Sequence, residues 1–114
     1  MRHPTNDERS ILERLLEGDF PGRDELHEQI ESCLVEPIDD HGSLRFLVGT
    51  DVRAPVKSRI PTEGETEDED GVTIHVLLHV VEGQAKELEF YKDDSSKLLR
   101  RPNPSRLRLF RPHQ

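Results

Sequence analysis

The sequence predicts an α+β fold in which two N-terminal helices pack on one face of a five- to six-stranded, largely antiparallel sheet. Three observations carry that expectation. Apolar residues recur at helical spacing only as far as Cys33, the period then changes to two, and the later apolar runs are short and bounded by turn residues. Leu, Ile, Val and Phe make up 31 of the 114 residues, enough for one hydrophobic core, and residues 1–114 are read as a single domain.

The first helix is marked by its start. Thr5-Asn6-Asp7-Glu8 fits a capping box, in which the Thr5 hydroxyl and the Glu8 carboxylate each take a free amide donor. Ile11, Leu12, Leu15 and Leu16 then share one face, and Gly18 follows at the end. Phe20-Pro21-Gly22 reads as a turn. A second helix over about Arg23 to Ser32 carries Leu26, Ile30 and Cys33 at i, i+4 and i+7, with Asp24 and Glu25 near its positive end.

Leu34–Ile38 is the first expected strand, with Pro37 marking an edge or a strand end, and Leu44–Val48 the second. Val52–Ile60 is a third, interrupted by Pro55. Residues 62–71 hold six carboxylates (Glu63, Glu65, Glu67, Asp68, Glu69 and Asp70) and read as a flexible acidic loop. Val72–Val81 is rich in β-branched residues and is expected at the centre of the sheet, with Lys86–Tyr91 returning beside it after a turn at Val81-Glu82-Gly83. Arg106–Phe110 is a final edge strand whose arginines discourage edge-to-edge pairing. The expected core is Ile11, Leu12, Leu15, Leu16, Phe20, Leu26, Ile30, Phe46, Ile74, Val76, Leu78, Leu88 and Phe90.

The stretches Glu8–Leu16, Asp19-Phe20-Pro21-Gly22-Arg23-Asp24-Glu25-Leu26, and Asp70-Gly71 through Leu77-Leu78-His79-Val80 to Glu87–Tyr91 resemble a small bacterial domain family that carries no assigned function. The likeness covers roughly the first thirty residues and the 70–95 hairpin. It departs from the family at Asp94-Ser95-Ser96, where a glycine is expected, and in the acidic 62–71 segment. The resemblance implies a bacterial, cytoplasmic protein and points to no catalytic residue.

Composition excludes several classes. A single cysteine, Cys33, rules out an internal disulfide framework and a cysteine-based zinc site, and fits a reducing cytoplasm. No apolar run reaches the ~18 residues of a membrane span, and the N-terminus lacks a signal-peptide core. The net charge is −8, unevenly distributed: residues 97–114 form a basic tail with six Lys and Arg and no acid, leaving −14 on the rest. An acidic body repels nucleic acid, so only the tail offers it a contact, and neutralising the body is the simpler use of that tail.

The pair His75 and His79 in His75-Val76-Leu77-Leu78-His79 would share a metal on a helix, but on a strand the rings stand ~13 Å apart. With Gly71 aligned to a calcium loop, the final ligand position falls on Leu77 instead of Glu, so that motif fails as well. No metal and no cofactor are expected. Alternation along the two strands instead puts His75, Leu77, His79, Glu87, Glu89 and Tyr91 on the sheet face away from the core; a three-residue turn sets His75 against Glu89, and other even registers shift the partners but preserve the faces.

That mixed face is the candidate binding surface, and the leading expectation is a non-enzymatic, acidic protein-interaction module. Its size and charge suit an immunity- or antitoxin-like protein that neutralises a basic toxin or nuclease. The alternative is a small enzyme or ligand-binding domain in which His75 or His79 works with Glu87 or Glu89. A homodimer formed through an exposed strand is a further option.

Overall fold

The computed structural model describes residues 1–112. Two helices, α1 (Asn6–Leu15) and α2 (Arg23–Glu31), precede six strands: β1 (Leu34–Pro37), β2 (Leu44–Leu47), β3 (Thr62–Glu67), β4 (Thr73–Val81), β5 (Gln84–Lys92) and β6 (Arg108–Phe110). The strands form one antiparallel sheet in the order β1-β2-β5-β4-β3-β6, so the architecture is the expected α+β arrangement. β4 and β5 lie at its centre, and β1 and β6 form its edges. At one edge, Arg2 exchanges two backbone hydrogen bonds with Val35.

The capping box is present: the Glu8 amide donates to Thr5 Oγ1 at 3.2 Å, and the Thr5 amide donates to Glu8 Oε1 at 2.8 Å. Arg2 also pairs with Glu8 at 2.7 Å, and that bond, against the opposing effect of burial, holds the carboxyl below its ordinary pKa. Thr5→Ala removes one half of the box and should cost about 1 kcal/mol, read as a lower midpoint in urea with an unchanged m-value.

All thirteen expected core residues are buried, joined by Cys33, Val35, Leu44, Ala54, Val80, Ala85 and Leu107. They lie between the helices and one face of the sheet. The C-terminal carbonyls of α1 are heavily used: Leu15 O accepts from Thr62 Oγ1 of β3 at 2.8 Å and from Arg111 at 3.0 Å, while Leu16 O accepts from Arg23 at 2.8 Å. The negative end of the helix is thereby tied to the sheet, to the next helix and to the residue that follows β6.

Two sequence expectations are corrected. Val52–Ile60 forms no strand; it runs irregularly and is fixed by isolated bonds, Ala54 N to Gly83 O (2.8 Å) and Val80 N to Arg59 O (2.7 Å). Conversely, the segment read as an acidic loop over 62–71 contains β3. Its inward residues Thr62, Gly64 and Thr66 are buried, and Glu63, Glu65 and Glu67 alternate outward. The inward side is small because the helix layer presses close: a Cβ on Gly64 would stand 3.3 Å from Leu107 and 3.5 Å from Leu15. Only Asp68–Gly71 turns, closed by Gly71 N donating to Asp68 O at 2.9 Å.

The basic tail is stitched back onto the body. Arg101 pairs with Asp7 at 2.9 Å, Arg108 pairs with Glu67 and lies 3.6 Å from Glu65, and Arg14 reaches the carbonyls of Pro104 and Leu107. Arg111 also stacks over the Phe20 ring at 4.7 Å. Positions 113 and 114 of the segment read as a tail lie outside the described residues.

Candidate functional site

The outward face of the sheet is built by the β4–β5 hairpin and flanked by β3. The hairpin closes with a two-residue turn, Glu82-Gly83, at φ values of 52° and 77°, which is the left-handed pair that matches strand twist. The expected three-residue turn is therefore corrected. A bulge follows at once, between His79 and Val80, where Ala85 and Glu87 oppose consecutive residues of β4. Beyond the bulge His75 faces Tyr91, Leu77 faces Glu89 and His79 faces Glu87. The expected pairing of His75 with Glu89 is thus displaced by two residues, and an even displacement keeps every side chain on its predicted face.

The six residues singled out from sequence share this face, though not equally. The His75 ring stacks on Tyr91, centroids 4.6 Å apart and planes within 13°. Its Nε2 lies 2.6 Å from Asp93 Oδ1, and its Nδ1 is 3.8 Å from Glu65 Oε2. His79 Nε2 lies 2.8 Å from Glu89 Oε1, and its Nδ1 accepts from Arg59 Nε at 3.1 Å. Leu77, by contrast, is buried beneath its polar neighbours.

Directly opposed residues extend the face into cross-strand rows. One row reads Glu36, Arg45, Glu87, His79; a second reads Tyr91, His75, Glu65, Arg108; a third reads Glu89, Leu77, Glu63, Phe110. Opposite charges beside one another stabilise the sheet locally, as in the 2.8 Å pair of Arg45 with Glu36. The balance is nonetheless acidic. Burial first, and then the charges of Glu63, Glu89, Asp93 and Glu65, lift the Tyr91 hydroxyl above its ordinary pKa.

Arg59, Asp93, Glu63 and Glu65 belong to the face and were not expected there. Glu63 and Glu65 did carry a signal, since Thr62-Glu63-Gly64-Glu65-Thr66-Glu67 alternates with period two. Arg59 carried none. A separate cleft of about 230 Å³ is lined by Glu8 and Ile11 of α1 together with His41, Phe90 and Arg101, none of which lies on the outward face.

An antiparallel six-stranded sheet with two helices on one side and a polar, mainly acidic surface on the other defines the class of protein. Residues 1–102 match the family described as Domain of unknown function (DUF6984), and the chain belongs to that family. No curated protein and no solved structure matches the chain. No helix among the described residues is long and apolar enough to cross a membrane.

Proposed function

We propose that the protein is a non-enzymatic interaction module whose outward sheet face docks a positively charged protein surface. The observation that supports this reading is the charge of the face: Glu36, Glu63, Glu65, Glu67, Glu87, Glu89 and Asp93 stand against Arg45, Arg59 and Arg108. A field of that sign steers a basic partner and rejects an acidic one. Leu47, Tyr91 and Phe110 are the exposed large apolar side chains of the same face and supply anchors within the polar surround. Neutralisation of a basic toxin or nuclease in a bacterial cytoplasm, an immunity- or antitoxin-like role, is the form of the reading that size and charge favour.

The test is capture from a lysate of the native host by the immobilised chain at low and high salt, beside the double variant Glu63→Lys/Glu87→Lys. The reading expects a basic protein that is retained at low salt, released at high salt and not retained by the variant. A captured protein indifferent to the variant, or none at all, contradicts it. Both replaced side chains are surface groups, so thermal melting of the variant should match the parent within a few degrees.

A further inference from the structure

We infer that His79, Glu87 and Glu89 form a binding site for one divalent transition-metal ion of the zinc type, with Arg59 as its gate. One nitrogen of His79 and one oxygen from each glutamate lie within 4.8 Å of one another. A tetrahedral shell with bonds of about 2.1 Å separates its ligands by about 3.4 Å. His79 and Glu89 already approach to 2.8 Å, so rotation of the exposed end of a glutamate side chain completes the set.

The backbone explains why these three groups converge. Glu87 is directly opposite His79, and Glu89 is the diagonal neighbour on the same face. The bulge immediately after His79 sharpens the local twist. One imidazole and two carboxylates, with a fourth position open to water, are a donor set of zinc chemistry. Calcium and magnesium, which prefer all-oxygen shells, suit it poorly.

Arg59 sets the state of the ring. Because its Nε–H donates to His79 Nδ1, the neutral ring carries its proton on Nε2 and gives it to Glu89. A metal ion on Nε2 takes the place of that proton, which moves through water to Nδ1, and Arg59 must then withdraw. Arg59 is exposed, so its guanidinium can swing into solvent by side-chain rotation while its carbonyl keeps the bond from the Val80 amide. Its departure also removes a positive charge from beside the ion. Arg59 therefore opposes the metal in the resting state, and its removal should strengthen binding.

The inference is independent of the docking reading, because its test contains no partner protein. The full chain is titrated calorimetrically with zinc chloride, and with cobalt chloride while visible absorption reports tetrahedral coordination. One ion per chain is expected, with no competition from excess magnesium. His79→Ala, Glu87→Gln and Glu89→Gln should each weaken binding about tenfold or more, His27→Ala on α2 should leave it unchanged, and Arg59→Ala should tighten it by about tenfold. The His79 ring resonances of the unmodified chain should shift on adding zinc, which reads the site without any substitution. Absence of binding, equal binding by His79→Ala and the parent, unmoved His79 resonances, or no gain in Arg59→Ala would overturn the assignment.

Discussion

Asp68→Ala is expected to lower stability by about 3 kcal/mol, because it leaves a buried ammonium short of a partner. Lys92 lies on the core-facing side of β5, opposite Ile74, with a side chain that is 0% exposed. Its Nζ is held by Asp70 at 2.7 Å and by Asp68 at 3.1 Å. Asp68 is equally buried and also accepts the amides of Glu69 (2.8 Å) and Leu99 (2.7 Å), so it anchors the start of the C-terminal segment. Removing it orphans the Leu99 amide as well. The double variant Asp68→Ala/Lys92→Met should be less damaged than the single one, since the uncompensated charge leaves with its partner.

The same cluster sets the acid limb of the stability curve. Burial opposes ionisation of Asp68, but the amides of Leu99 and Glu69 and the Lys92 ammonium outweigh it and hold the carboxyl below its ordinary 3.8. The hydrogen bond from Lys92 does the same for Asp70. A carboxyl whose folded pKa lies below its unfolded one binds fewer protons in the folded state. Its contribution is therefore complete above the unfolded value and is lost as pH falls through the folded one. Urea midpoints should be flat above about pH 5 and fall steadily below about pH 4, with a shallower fall in Asp68→Ala.

Gln29→Leu should produce the other large loss, again about 3 kcal/mol, or roughly 10 °C in Tm. Gln29 is fully buried on α2. Its Nε2 donates to Val52 O (3.0 Å) and Gly83 O (2.8 Å), and its Oε1 accepts the Ala85 amide at 2.8 Å. One amide thus joins the helix, the β4–β5 turn and the irregular 48–60 segment. Leucine fills similar space but leaves the Ala85 N–H and Val52 C=O without partners. The damage should reach the outward face, because the bulge beside Ala85 sets the positions of His79 and Glu87. Thermal melting measures the loss, and the His79 ring resonances report the displacement.

The features legible in the sequence were those decided locally or by burial of large apolar groups. The capping box needs only residues 5 to 8, and the core positions follow from periodicity in α1, α2, β4 and β5. β3 was hidden because its inward positions are Thr62, Gly64 and Thr66: packing against Leu15 and Leu107 demands small residues there, and small residues leave no hydrophobic signature. Its outward glutamates then read as mutual repulsion, although Arg108 neutralises part of their charge.

The outward face was legible as a set of residues but not as a set of contacts. Alternation alone places His75 and Tyr91 on one side. Their stacking depends on a two-residue turn combined with a bulge, which together displaced the register by two. Arg59 reaches His79 only because Gln29, Ala54 and the Val80 amide fix an irregular segment. Nothing in the period of residues 52 to 60 announces that arrangement.

The docking reading is tested most directly by mapping the surface that a captured basic protein covers, using backbone amide and histidine ring resonances of the isotopically labelled chain. Changes should concentrate on Glu63, Glu65, His75, His79, Glu87, Glu89 and Tyr91, with α1 and α2 unaffected. Changes centred on the helices, or on the cleft lined by His41 and Arg101, would contradict it.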